Sequence, residues 1–223
     1  SAASDVYKRQ GITRDVFLWS APKVQIRDYF ATTQIDYAAK SAKVKISTDI
    51  QIAPKTKAAK DMTLTAEIWD NGKKVSEFSN RLDLSKSHNQ EMELTVGNAK
   101  LWNAEQPNLY DLVLKLSQKG KTIDVRGSKL GIREVAVNEQ GAITINGKPI
   151  KIHGVNRHDF STTNGRTVSK EEMERDIMLM KRLNINAVRT SHYPNNPYFY
   201  DLCDKHGMYV LAEANIECNG NFS

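Results

Sequence analysis

"AVRTSHYPNNP", Ala187 to Pro197, starts as a strand for a protein core and then changes character. Ala187 and Val188 suit burial, yet the next five residues are Arg189, Thr190, Ser191, His192 and Tyr193, all able to hydrogen-bond and several titratable. The same change recurs on either side. Apolar Ile150 to Val155 runs into Asn156, Arg157 and His158, and "MYVLAEAN", Met208 to Asn215, opens the polar run "EANIE", Glu213 to Glu217. Between these expected strands lie two helices. Met173, Ile177, Met180 and Leu183 recur at helical spacing, and Ser169 with Glu172 three residues on forms a capping box. "NPYFYDLCDKHG" supplies the second, with Asn196 as N-cap, Pro197 in the first turn and Gly207 past the end. Strand, helix, strand, helix, strand with short connections predicts a parallel array. Parallel strands bring their carboxyl ends to one edge, the edge that bears the active site of a (β/α)₈ barrel. The three polar clusters are therefore expected to converge.

The first half has a different rhythm. Apolar and polar residues alternate through Val44 and Ile46, through Met62, Leu64, Ala66 and Ile68, and through Leu112, Leu114 and Leu116, the pattern of half-buried antiparallel strands. Asn71-Gly72 and Asn146-Gly147 each separate two such runs and mark hairpins, because both central residues of a type I′ turn need positive φ. Short strands over residues 22–137 without helical periodicity predict an immunoglobulin-like β-sandwich. No chemistry is visible there, so its role is read as structural.

Composition removes several classes of function. The chain has 223 residues, 39% hydrophobic and 26% charged, and no stretch long and apolar enough to span a membrane. Its net charge of +6 is scattered singly along the strands without blocks of cations or interleaved aromatics, which argues against nucleic-acid binding. Cys203 and Cys218 have no metal-ligand spacing and do not look like part of a disulfide framework. The compartment is left open.

"IHGVNRHDF", "NAVRTSHYPNNP" and "YDLCDKHGMYVLAEANIE", with the earlier "LWNAEQPNLYDLVLKL" and "GIREV", together resemble the β-galactosidases of glycoside hydrolase family 2. The resemblance runs from about Gly11 to Gly220. It implies a multidomain β plus α/β chain: a remnant of a jelly-roll domain over residues 1–21, an immunoglobulin-like sandwich over 22–137, and the first three βα units of a (β/α)₈ TIM barrel over 138–223. It further implies that His158 and His192 line a galactose subsite and stabilise the transition state, with Asn156 beside them and Arg189 close to the nucleophile. Glu217 matches a carboxylate that binds an active-site Mg²⁺. The family commonly reads Glu-x-His there, whereas this chain has Glu217, Cys218 and Asn219, so Asn219 could offer only a carbonyl oxygen. The implied substrate is a terminal β-galactoside of lactose type, and the complete enzyme could be a homo-oligomer. A β-glucuronidase or β-mannosidase of the same family is the alternative within the class. Outside it stands a non-catalytic carbohydrate-binding or interaction module, for which family-type ends on three barrel strands would have no use.

Two departures shape the expectation. A retaining glycosidase needs two carboxylates about 5 Å apart, and in this family both lie on later barrel strands. A (β/α)₈ barrel takes about 250 residues, and Ile150 to Ser223 is less than a third of that. Glu213 and Glu217 match other family positions and are not read as the catalytic pair. "GITRDVFLWSAP" resembles the exit from the family's first domain, but "DVYKRQ", Asp5 to Gln10, reads as the translation of a transposon end joined to a truncated gene. The chain is thus expected to be a fragment inactive on its own.

Overall fold

The computed structural model describes residues 12, 14–56, 60–85 and 87–215. The expectations for the start of the chain and for Glu217 and Asn219 lie outside the described residues. The chain divides into two compact units, one formed by Trp19–Asn103 and Asn108–Ile150, the other by Ser1–Leu18, Ala104–Pro107 and Lys151–Ser223.

In the first unit seven strands build two antiparallel sheets. β1 (Val24–Asp36), β2 (Ser41–Ile52) and β5 (Asn89–Gly97) form the order β1-β2-β5. β3 (Met62–Asp70), β4 (Lys73–Leu82), β6 (Tyr110–Gln118) and β7 (Lys121–Leu130) form β4-β3-β6-β7. Alternation decides which residues go inside: Ala42, Val44, Ile46 and Ile50 of β2, Met62, Leu64, Ala66 and Ile68 of β3, and Leu112, Leu114 and Leu116 of β6 share one buried cluster. β4 pairs with β3, so the sheets hold three and four strands rather than the four and three of a constant-type immunoglobulin domain. Asn71 and Gly72 have φ of 49° and 81°, as the β3–β4 hairpin requires. Lys119 and Gly120 make the same turn between β6 and β7 at 48° and 78°, although Lys is no turn marker.

Two buried charges are held by named partners. The Asp124 carboxylate accepts from the Ile26 amide at 2.8 Å, next to the register shift between Ile26 and Asp28 in β1. Burial pushes the Glu67 carboxyl up, but Lys115 at 2.8 Å, the Trp69 indole at 3.0 Å and Lys74 outweigh it and hold the group below the usual range. A small antiparallel sheet of β8 (Val135–Val137), β9 (Ile143–Ile145) and β10 (Lys148–Pro149) follows, with Asn146 and Gly147 turning at φ of 53° and 72°. This sheet groups with the sandwich.

The second unit holds β11 (Gly154–Arg157), α1 (Lys170–Arg182), β12 (Ala187–Thr190), α2 (Pro197–His206) and β13 (Tyr209–Ala212), with the strands parallel in the order β11-β12-β13. Met173, Ile177 and Met180 of α1 and Phe199, Leu202 and Cys203 of α2 are buried with Val188, and Val210 packs against them. Both helices are capped as the sequence predicts.

Strand ends differ from the expectation in an informative way. β11 begins four residues after Ile150, and β12 begins at Ala187. The Asn186 side chain stands in for ladder bonds there: its Oδ1 accepts from the His153 amide at 2.8 Å and its Nδ2 donates to the Lys151 carbonyl at 2.9 Å. Asn184 turns left-handed at φ 55° and the Ile185 amide still donates to Met180 of α1, which delays β12. Asn156, Arg157, Arg189 and Thr190 are therefore strand residues, not residues after the strands.

The α1 N-terminus has a pH signature. Glu172 accepts from the Ser161 hydroxyl at 2.6 Å and from the Ser169 amide at 2.8 Å, and these bonds hold its carboxyl below the usual range. A carboxyl lowered on folding contributes stability above its unfolded pKa, about 4.3, and loses it as pH falls through the folded value. Thermal unfolding should be less stable for Glu172→Gln than for wild type at pH 6, with the gap closing toward pH 3. A gap unchanged by pH would show that the charge adds nothing.

Candidate active site

Register sets the site. Asn156 lies level with Arg189 and Leu211, and Arg157 with Thr190 and Ala212. Successive side chains point to opposite faces of a sheet. Val188 packs into the helix layer, and so does Arg157, whose guanidinium carbon lies 4.1 Å from the centre of the Phe199 ring of α2. Asn156 and Arg189 take the other face.

On that face Arg189 is the hub. Its Nε donates to Glu213 Oε1 at 2.6 Å and its Nη2 lies 2.5 Å from the same oxygen. Nη1 reaches Asn156 Oδ1 and Ser191 Oγ, each at 3.4 Å. His192 Nδ1 sits 3.4 Å from Arg189 Nη2 and 3.4 Å from Glu213 Oε2, between a donor and an acceptor. The Ser191–His192 peptide bond is cis. The His158 ring meets the His192 ring edge to face at 5.4 Å and the Tyr193 ring at 6.2 Å. His158 is exposed, while His192, Arg189 and Glu213 are part-buried. All four residues expected from the sequence, His158, His192, Arg189 and Asn156, thus lie in one connected group across the ends of β11 and β12.

Beneath this group a second network joins the loops. Arg157 Nη1 donates to Asp159 Oδ1 and Asn195 Oδ1, both at 2.6 Å, and its Nε to Asp176 Oδ2 of α1 at 3.0 Å. The Asp159 amide donates to Tyr193 Oη at 3.1 Å, and Arg14 bridges Asp159 Oδ2 at 3.1 Å and the Pro194 carbonyl at 2.6 Å. The Arg166 guanidinium carbon lies 4.7 Å from the centre of the Tyr193 ring.

Sequence reasoning set Glu213 aside as an acid or nucleophile but did not see its partners. The signal was there in part: Glu213 is the first residue after β13, level with the polar ends of the neighbouring strands. Arg157, Asp159 and Asn195 were equally unassigned, and only the strand alternation separates Arg157 from Asn156 and His158. Among the described residues no group of three or more His, Cys, Asp or Glu is placed to hold a metal ion. No helix among them is long and apolar enough to cross a membrane.

A sandwich followed in sequence by parallel βα units, with imidazole, guanidinium and carboxylate gathered at the strand ends, finds its match among glycoside hydrolases. Residues 24–133 match the sequence model of glycosyl hydrolases family 2, and residues 135–223 match that of the TIM barrel domain of the same family. The chain belongs to glycosyl hydrolase family 2, as a sandwich-type β domain and the start of the barrel. The β-galactosidase of Priestia megaterium is 38% identical over 224 residues, which cover 98% of this chain and 22% of that protein. The β-galactosidase of Pseudoalteromonas haloplanktis is 40% identical over 226 residues, covering 98% and 21%. Among solved structures, a family 2 glycosyl hydrolase from Bacteroides cellulosilyticus has a TM-score of 0.80 at 28% identity, covering 87% of this chain and 25% of that one. A β-glucuronidase from Ruminococcus gnavus in complex with D-glucuronic acid has 0.74 at 25%, covering 86% and 30%. The chain spans about a fifth of the length of the curated relatives it matches.

Proposed function

We propose that the chain is part of a retaining glycoside hydrolase that cleaves terminal β-D-galactosides, and that by itself it does not hydrolyse them. The observation that carries this reading is the group His158, His192, Arg189, Glu213 and Asn156 at the carboxyl ends of three parallel strands. Neutral imidazole offers one donor and one acceptor, which suits sugar hydroxyls whose hydrogen bonds strengthen in an oxocarbenium-like transition state. With Nδ1 of His192 facing Arg189 and Glu213, whichever it engages fixes the tautomer, and Nε2 takes the opposite role toward the sugar. Glu213 has both oxygens turned to cationic or imidazole nitrogens. It therefore orients Arg189 and His192 and is a poor group to protonate a leaving oxygen. The acid and the nucleophile are assigned to barrel strands beyond those described.

Mg²⁺ belongs to the same proposal. Glu217 and Asn219 would hold it, since both offer hard oxygen and Mg²⁺ is commonly bound through one or two carboxylates with water completing the shell. When bound it would supply fixed positive charge to the site.

The likeness to a β-glucuronidase supports a second substrate, a β-glucuronide. Assaying the full-length protein with chromogenic β-galactoside, β-glucuronide and β-mannoside decides between them, the galactoside being expected to turn over fastest. The 223-residue chain should show no rate above buffer with any of the three. Hydrolysis by the chain would overturn the assignment of the acid and the nucleophile to later strands.

A further inference from the structure

We infer that Arg157 is a positioning residue, which sets the two histidines of the site by tying their loops together from the helix side; the inference rests on the glycosidase reading for its effect on turnover. His158 follows Arg157 directly, and His192 lies in the loop between Ser191 and Asn195. Arg157 grips both ends of that arrangement. Its carbonyl accepts from the Ser191 amide at 3.0 Å, and its Nη1 donates to Asp159 on one loop and Asn195 on the other, each at 2.6 Å. Nε holds Asp176 of α1, and the guanidinium lies over Phe199 of α2. Tyr193 completes the tie, since its hydroxyl accepts from the Asp159 amide while its carbonyl accepts from Asn195 Nδ2 at 3.4 Å.

Stability alone does not call for an arginine here. Arg157 and Asp159 are both more than nine-tenths buried, and Nη2 of Arg157 is a buried nitrogen without a hydrogen-bond partner. Burying an ion pair costs desolvation that a well-packed apolar residue would avoid. An apolar side chain could cover Phe199 without stranding an N–H. What it could not do is bind two loops and a helix through a rigid fork, which is the property that separates Arg from Lys as well.

Two variants test this, Arg157→Lys and Asn195→Ala, each read in two ways. In the 223-residue chain, hydrogen–deuterium exchange at the imidazole C2 positions is followed by mass spectrometry, with His88 of the sandwich as internal control. Protection of Cys203, 1% exposed, from a thiol reagent shows that the α1–α2 layer is folded. The exchange rates of His158 and His192 should change at least about twofold with that of His88 constant. In the full-length protein, kcat/KM for its glycoside should fall about 10- to 100-fold, mainly through kcat, because a misplacement near 1 Å suffices for that. Unchanged histidine exchange in a folded variant overturns the proposal, as does normal kcat/KM with only a lowered melting temperature. Should Arg157→Lys leave Cys203 reactive, Asn195→Ala decides, since it keeps the guanidinium on Asp159, Asp176 and Phe199. A full-length wild type that hydrolyses no glycoside would sink the glycosidase reading, while the exchange comparison still decides the role of Arg157.

Discussion

Replacing His192 or His158 with Ala in the full-length protein should lower kcat/KM for its glycoside by about 10² to 10³ and leave the melting temperature nearly unchanged. Loss of one hydrogen bond that strengthens in the transition state is worth about 2–4 kcal/mol of activation energy. Neither side chain fills a core: His158 is exposed and meets the His192 and Tyr193 rings, and His192 is 42% exposed at its side chain. The two should also differ from each other. His192 lies within 3.4 Å of both Arg189 and Glu213, so its removal frees a guanidinium–carboxylate pair to shift, whereas removal of His158 leaves that pair as it is. The larger loss is therefore expected at His192. Steady-state kinetics and thermal unfolding on the same preparations check this. A large fall in melting temperature with normal kcat/KM per folded molecule would make both histidines structural.

The largest loss of stability should come from Gly207→Ala, a change of one methyl group. Gly207 closes α2 in the left-handed conformation at φ 72° and ψ 60°, with its amide donating to the Cys203 carbonyl. That conformation costs a residue with a Cβ about 1 kcal/mol or more. A Cβ there would also collide with the Ala104 carbonyl oxygen and lie 2.9 Å from its carbon, and backbone cannot move aside as a flexible side chain can. Overpacking adds about 1–3 kcal/mol, so about 2–4 kcal/mol should be lost and the unfolding midpoint of this unit should drop on the order of 10 °C. Cys203 reports the event. Burial pushes its thiol up to about 12, and unfolding exposes it to reagent at the lower temperature. A midpoint within about 2 °C of wild type would mean that the Ala104 segment yields.

What could be read in advance was what local chemistry encodes. Asn71-Gly72 and Asn146-Gly147 declare positive φ, and Ser169 with Glu172 declares a helix start, so these features could be placed from a few residues each. Lys119-Gly120 could not, because Lys adopts the turn only under the pairing of β6 with β7. The parallel array was legible but where its strands begin was not, since that depends on Asn186 bonding to residues more than thirty positions earlier. For the site, motif likeness supplied His158, His192, Arg189 and Asn156. The Glu213–Arg189 pair stayed hidden because it depends on how β12 and β13 register, which no single segment carries.

The alternation at the ends of β11 and β12 has a consequence for anyone wishing to retune the protein. Asn156 and Arg157 are adjacent in sequence, as are Arg189 and Thr190, yet within each pair the two residues answer to different demands. Arg157 and Thr190, 7% and 0% exposed, are locked against helices and loops, whereas Asn156 and Arg189 open onto the other face. A combinatorial library aimed at sugar preference can diversify positions 156 and 189 with little loss of folded members. One frame over, at 157 and 190, the same diversity would disturb the loops that carry the site before it reached the sugar.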